Sequence, residues 1–220
     1  MDQSSPVGVV QVGIGNFASL LTAFREAGHS AVAVTEPDDL KDFSKAVLPG
    51  VGNFGAFGLQ LRDSGFGEAL VAYCSRPDTY LLGVCVGAQI LMNRSEESPD
   101  QEGLGLLGGY VRRVTEEESH RVPRIGWDYL CPARNRDPTD ANNQSRDAVH
   151  TLGPRYYFAH SYCMQPDNES AVVAVSNSSR SIPAIVRQSN ILAVQFHPER
   201  SGVSGRLFLD QFMTGGFRAS

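Results

Sequence analysis

The sequence predicts an α/β domain: a mostly parallel central sheet flanked by helices, extended by antiparallel strands. Three observations carry this. Short apolar runs alternate with helical spacing through the first ninety residues, as expected of strands joined by right-handed crossovers. Later apolar runs are separated by turn residues, as in antiparallel pairing. The chain has 220 residues, 41% hydrophobic and 20% charged, enough to bury a core in one domain spanning 1–220.

In order, Val7 to Val12 reads as a buried strand. Asn16 sits where a helix cap belongs, ahead of Phe17, Leu20, Leu21 and Phe24, and Gly28 marks the stop. Ala31 to Thr35 and Lys45 to Leu48 are short strands, the second closed by Pro49-Gly50. Helical spacing runs from about Ala56 to Ser75. Tyr80 to Val84 is a strand that runs directly into a helix over Gly87 to Met92. Further strands are expected at Val111 to Thr115, Arg155 to Tyr162, Ala171 to Val175, Ile182 to Val186 and Ile191 to Phe196, and a closing helix at Val203 to Phe212. Ala133 to Gly153 is polar and reads as a long exposed loop.

Composition narrows the function. A net charge of −5 with scattered Lys and Arg argues against nucleic acid and membrane surfaces as partners. The N-terminus lacks a signal-peptide pattern, so a cytoplasmic location is expected. Cys74, Cys85, Cys131 and Cys163 form no CxxC pair, and His29, His120 and His150 have no partners at metal spacing. No metal or cofactor is expected.

The strongest local signal is YLLGVCVGAQIL. Cys85 lies between Gly83 and Gly87 where a strand turns into a helix, a geometry that pushes a nucleophile out of a sheet. The helix start favours a thiolate there. The N–H of Val86 is placed to face an oxyanion. Taken alone, a cysteine with apolar neighbours is more often plain core. The segment LAVQFHPERSG supplies what Cys85 lacks. His197 stands at a strand end, and Pro198 biases it toward extended backbone. Glu199, two residues on, then points the same way and can hold one ring nitrogen while the other faces the thiol.

These two segments resemble the signature motifs of the class I, triad-type glutamine amidotransferases. The resemblance implies that family's flavodoxin-like fold. It also implies glutamine hydrolysis through a thioester on Cys85, with His197 and Glu199 completing the triad. A wider set resembles one subfamily, the glutaminase subunits of imidazole glycerol phosphate synthase. Its pieces here are Gly13-Ile14-Gly15-Asn16, Pro49 to Gly55, Gly103 to Leu107, Pro123 to Trp127, Tyr157 to Tyr162 and Phe196 to Gly202. That likeness implies a heterodimer with a (β/α)8-barrel cyclase that receives the ammonia for histidine biosynthesis. It places Val51 and Gly52 on an oxyanion strand. Gly50, Gln89, Tyr157, His160, Ser161 and Tyr162 fall around the glutamine, and Asn16, Pro123, Trp127 and Arg200 near the partner. A free subunit of this kind is poorly active until its loaded partner adjusts the oxyanion strand.

The chain departs from the subfamily pattern at Arg124, Ile125 and Asp128, where His, Met and Asn are usual, and at Arg200, where Lys is usual. His160 and Tyr162 share one strand face and Ser161 the other, so either Ser161 acts through its backbone or the strand ends there. Two rival readings stand beside this one. Related amidotransferases feed ammonia to surface-polysaccharide sugar synthesis. Separately, Gly13 to Ala18 fits a loose G-x-G-x-x-A dinucleotide fingerprint, with Glu36 and Asp38 at ribose distance. The fingerprint leaves Cys85, His197 and Glu199 without a purpose.

Overall fold

The computed structural model describes residues 5–13, 16–119, 121–133 and 152–217. Most of the polar 133–153 segment, with His120, His150, Ile14 and Gly15, lies outside them.

An eight-stranded sheet forms the centre. Its first half is parallel: β1 (Val7–Val10) lies between β2 (Ala31–Val34) and β3 (Lys45–Gly50), and β4 (Tyr80–Cys85) follows β3. β13 (Ile191–Val194) pairs with β4 in parallel, although over a hundred residues separate them in sequence. Antiparallel strands then extend the sheet: β12 (Pro183–Gln188), β11 (Val172–Ser176) and β8 (Leu130–Pro132). Two small sheets stand apart from it. One pairs β10 (Tyr162–Pro166), β6 (Gly109–Arg113) and β5 (Arg94–Ser95); the other pairs β7 (Arg124–Asp128) with β9 (Tyr156–His160). The mixed sheet expected from the sequence is therefore present.

The parallel strands are apolar on both faces because helices cover both. Val7, Val9, Ala46, Val47, Leu48, Leu81 and Leu82 are all fully buried. The covering helices are α1 (Phe17–Glu26), α2 (Phe54–Asp63), α3 (Phe66–Cys74) and α5 (Gly202–Thr214), with a one-turn α4 (Val86–Gln89) after β4. One core cluster runs from Val7 to Phe217.

Four expectations change. The helix over 56–75 is two helices, because Gly65 adopts φ 76 between them. The first strand ends at Val10 rather than Val12. The helix over 87–92 is a single turn, because the carbonyls of Ile90, Leu91 and Met92 accept from Leu104, Leu107 and Gly105 instead of extending it. The strand over 155–162 is two strands, β9 and β10, in different sheets; it ends at His160. Asn16 precedes α1 but makes no side-chain cap bond.

Candidate active site

The C-terminal ends of β3, β4 and β13 meet at one edge of the sheet, the edge where open α/β sheets hold their ligands. An open cavity of about 340 Å³ lies there. Val51, Gly52, Cys85, Val86, Gln89, His160, Ser161, Tyr162 and His197 line it, and so do Pro123 and Arg200, which the sequence placed near the partner.

Cys85 is held under strain. Its φ of 55° and ψ of −113° are unfavourable for a side chain with a Cβ; such backbones cost about 1–3 kcal/mol and are kept where the surroundings enforce them. The enforcement is visible. A Cβ on Gly87 would stand 2.0 Å from the Leu48 carbonyl oxygen, and one on Gly50 would stand 2.1 Å from the Gly87 nitrogen. β3 and the turn after Cys85 therefore touch backbone to backbone, which only glycine permits. The sulfur ends up buried at the floor of the cavity. Because α4 is only one turn long, the helix dipole offers Cys85 less than the sequence suggests, and the charged partner at hand is His197.

His197 is fixed on every side. Its backbone N–H donates to the Tyr157 carbonyl at 2.8 Å, and its carbonyl accepts from Ser201 Oγ at 2.6 Å. Ser201 Oγ in turn accepts from the Tyr157 N–H at 3.0 Å. Nδ1 lies 2.8 Å from Glu199 Oε1. Burial works against a charge on this ring, but hydrogen bonds and attraction to Cys85 and Glu199 outweigh it and push the pKa up to about 10. Both partners thus favour the imidazolium form of the ring. α5 holds the His-Pro-Glu turn so closely that a Cβ on Gly205 would stand 1.8 Å from the Pro198 carbonyl oxygen.

The opposite wall comes from the β9–β10 junction. His160 Nδ1 faces the Tyr162 carbonyl at 3.0 Å, which assigns the proton to Nδ1. Burial, the nearby Arg124 and His197 push its pKa down to about 3, so this second histidine stays neutral. Gln89 Nε2 donates to the same Tyr162 carbonyl at 2.8 Å and to Gln195 Oε1 at 3.1 Å. The Gln89 amide thereby ties the turn after Cys85 to the strand that precedes His197.

Two residues do not sit as expected, and a third makes a contact that the sequence did not suggest. Tyr157 does not line the cavity: its ring lies under the Arg200 guanidinium at 5.0 Å and edge-on to Trp127 at 5.8 Å. Gly50 packs behind the cavity wall against Gly87. Asn16, expected near the partner, directs its amide Nδ2 onto Glu199 Oε1. Sequence reasoning also missed two residues at the site, one behind the cavity beside Cys85 and one on its wall. Gln195 is fully buried, with Nε2 at 3.8 Å from the Cys85 sulfur; its signal was a polar residue in the apolar run just before His197. Glu97 lines the cavity and accepts from the Phe54 N–H at 2.7 Å, but no local pattern marks it.

The other singled-out residues are structural. His29 pairs with Asp210 at 2.8 Å. None of the four cysteines is bonded to another. Among the described residues, no group of three or more His, Cys, Asp or Glu could hold a metal ion, and no helix is long and apolar enough to cross a membrane.

The family profile described as glutamine amidotransferase class-I matches residues 9–214. The chain belongs to the class I glutamine amidotransferases. Within that family it is 34% identical to the imidazole glycerol phosphate synthase subunit HisH of Geobacillus thermodenitrificans, covering 94% of each chain. It is 36% identical to the corresponding subunit of Natronomonas pharaonis, over 96% of this chain and 95% of that one. The chloroplastic imidazole glycerol phosphate synthase hisHF of Arabidopsis thaliana is 34% identical over 95% of this chain, which spans 34% of that longer protein. Among solved structures, a glutamine amidotransferase superposes with a TM-score of 0.71 at 23% identity, over 96% of this chain and 100% of the other. PurLQS from Thermotoga maritima gives 0.69 at 19%, over 96% and 98%. Those two likenesses concern the fold. The comparisons match the amidotransferase reading and do not favour the dinucleotide-binding one.

Proposed function

We propose that this chain, acting as one domain over 1–220, is the glutaminase subunit of imidazole glycerol phosphate synthase, and that Cys85, His197 and Glu199 are its catalytic triad. The observation that carries the chemistry is the buried chain of contacts from Glu199 through the His197 ring to Cys85, on a strained elbow that opens into a cavity.

The steps follow from the geometry. The Cys85 thiolate, paired with the His197 imidazolium, attacks the carboxamide carbon of glutamine, and the carbonyl π pair moves onto oxygen. The N–H of Val86 and those of the Val51–Gly52 strand are the donors for that oxyanion. The intermediate collapses with loss of the amine, which takes the His197 proton and leaves as ammonia. A water then attacks the thioester, giving its proton to His197, and glutamate departs with Cys85 free. Glu199 keeps the ring oriented and its charge compensated throughout. Gln89, His160, Ser161 and Tyr162 surround the substrate.

The ammonia passes to a (β/α)8-barrel cyclase that makes imidazole glycerol phosphate in histidine biosynthesis, in the cytoplasm. Identity of about a third along nearly the full length of synthase subunits supports this acceptor over a polysaccharide-pathway partner. So does the Arabidopsis relative, where the matching segment is about a third of a larger synthase chain. An apolar, solvent-facing strip at the cavity rim suits a docked partner: Ile125, Trp127 and Tyr129 are all more than half exposed. Pro123 and Arg200, at the rim, would sit at that interface.

Assays of glutamate release test the triad. Cys85→Ala abolishes turnover while leaving the fold intact, as cooperative thermal unfolding checks. Glu199→Gln lowers turnover by less, because it disturbs orientation without removing the nucleophile. Turnover retained by folded Cys85→Ala refutes the assignment.

A further inference from the structure

The Glu199 carboxylate is held unevenly. Its Oε1 accepts from both His197 Nδ1 and Asn16 Nδ2. Among the described residues its Oε2 is buried without a partner, and the side chain is 1% exposed. With nothing on Oε2, the carboxylate gains no orientation from that side. What turns Oε1 toward the histidine, apart from the histidine itself, is the Asn16 amide.

Asn16 gives up something to be there. It occupies the residue before α1, where an Asn side chain ordinarily accepts from a helix N–H and contributes about 1 kcal/mol. No such bond is made, and the N-cap backbone is at φ −79° and ψ 25° rather than extended. The amide reaches across 183 residues of sequence to Glu199 instead. The reach is short in space because α1 packs against α5 and against the Pro198–Arg200 turn. A helix that forgoes its cap to place a donor on a buried carboxylate is organised around that carboxylate.

We infer that Asn16 is a positioning residue of the triad: its Nδ2 donates to Glu199 Oε1 and fixes the carboxylate rotamer that accepts the hydrogen bond from His197 Nδ1–H. The claim rests on the triad assignment above. It adds a fourth member, delivered by the loop between β1 and α1, that touches neither substrate nor reacting atoms.

The test uses the full chain with Asn16→Ala, and with Asn16→Leu as a second variant that keeps the side-chain volume without a donor. Two readouts are taken. On the free chain, proton NMR follows the His197 Nδ1–H resonance, which a strong bond to a buried carboxylate shifts downfield and protects from exchange. With the ligand-loaded cyclase present, glutamate release gives kcat and KM separately. The expected result is a downfield resonance that moves upfield or broadens in both variants, kcat reduced about 10-fold, as for loss of one hydrogen bond to a charged group, and KM for glutamine within about twofold of wild type. An unchanged resonance in a folded variant overturns the inference, as does an unchanged kcat. The resonance is read without substrate or partner, so it decides the matter even where wild-type protein releases no glutamate, an outcome that counts against the glutaminase reading instead.

Discussion

At the scale of single residues, two histidines 37 positions apart share one cavity and carry opposite charge states, and their surroundings account for both. Burial opposes charge on each. His197 has Cys85 and Glu199 to offset that cost, and its pKa rises to about 10. His160 faces the cation Arg124 and the cationic His197, and its pKa falls to about 3. The sign for stability follows from linkage. The raised pKa of His197 contributes stability that is fully present below the unfolded value near 6.5 and is lost as pH rises through about 10. Cys85 is the largest of the influences that raise it. In Cys85→Ala the His197 ring should therefore titrate well below 10 while His160 stays neutral, as followed by ring nitrogen NMR. A His197 titration unmoved by the loss of the sulfur would mean that the pair is not coupled. The contact between Asn16 and Glu199 belongs to this scale as well, and nothing in the sequence signalled it, because its partners are 183 residues apart.

At the scale of elements, β7 shows why part of the fold was hidden. Its inward side chains are Arg124 and Asp128, and its outward ones are Ile125 and Trp127. That inverts the usual pattern of apolar inside and polar outside, so the segment does not read as a strand. The inversion is possible because Arg124 and Asp128 pair within a polar nest, although Arg124 Nη1 has no partner among the described residues. Arg124 donates to Asp128 and to Ser176 Oγ at 2.7 Å, Asp128 accepts from Ser178 Oγ at 2.8 Å, and the guanidinium lies 4.3 Å over the Phe158 ring. Burial alone would raise the Asp128 pKa, but the bonds from Ser176, Ser178 and the backbone hold it below the usual carboxylate range. Arg124 and Asp128, two of the departures from the subfamily pattern, are thus a matched pair. Asp128→Ala, leaving Arg124 buried and uncompensated, should destabilise the chain by about 3 kcal/mol in denaturant unfolding. A loss below about 1 kcal/mol would show that water or the serines suffice. The apolar parallel strands and the Cys85 elbow were legible because their signals are local runs of sequence. The break at Gly65 was not, since one residue's positive φ decides it and a periodic pattern averages over it; the break at Ser161 was legible only as one of two alternatives, from the facing of His160, Ser161 and Tyr162.

At the scale of the whole molecule, the chain gathers residues from its beginning, middle and end at one edge of the sheet. Asn16 follows β1, Val51 follows β3, Cys85 ends β4, and His197 comes three residues after β13. Parallel pairing of β13 with β4 is what brings the histidine to the cysteine. The exposed Ile125, Trp127 and Tyr129 lie on the segment that leads from the cavity-lining Pro123, so a partner docked there would also cover the substrate entrance. Trp127→Ala should accordingly reduce stimulation by the partner while leaving unstimulated glutamate release unchanged; equal loss of both would place Trp127 in the fold rather than at the interface. The most direct test of the account is glutamate release from glutamine by the purified chain, with and without the barrel cyclase loaded with its nucleotide ligand. The account predicts strong stimulation by the loaded partner, abolished in Cys85→Ala. Folded chain that releases no glutamate in either condition would contradict it.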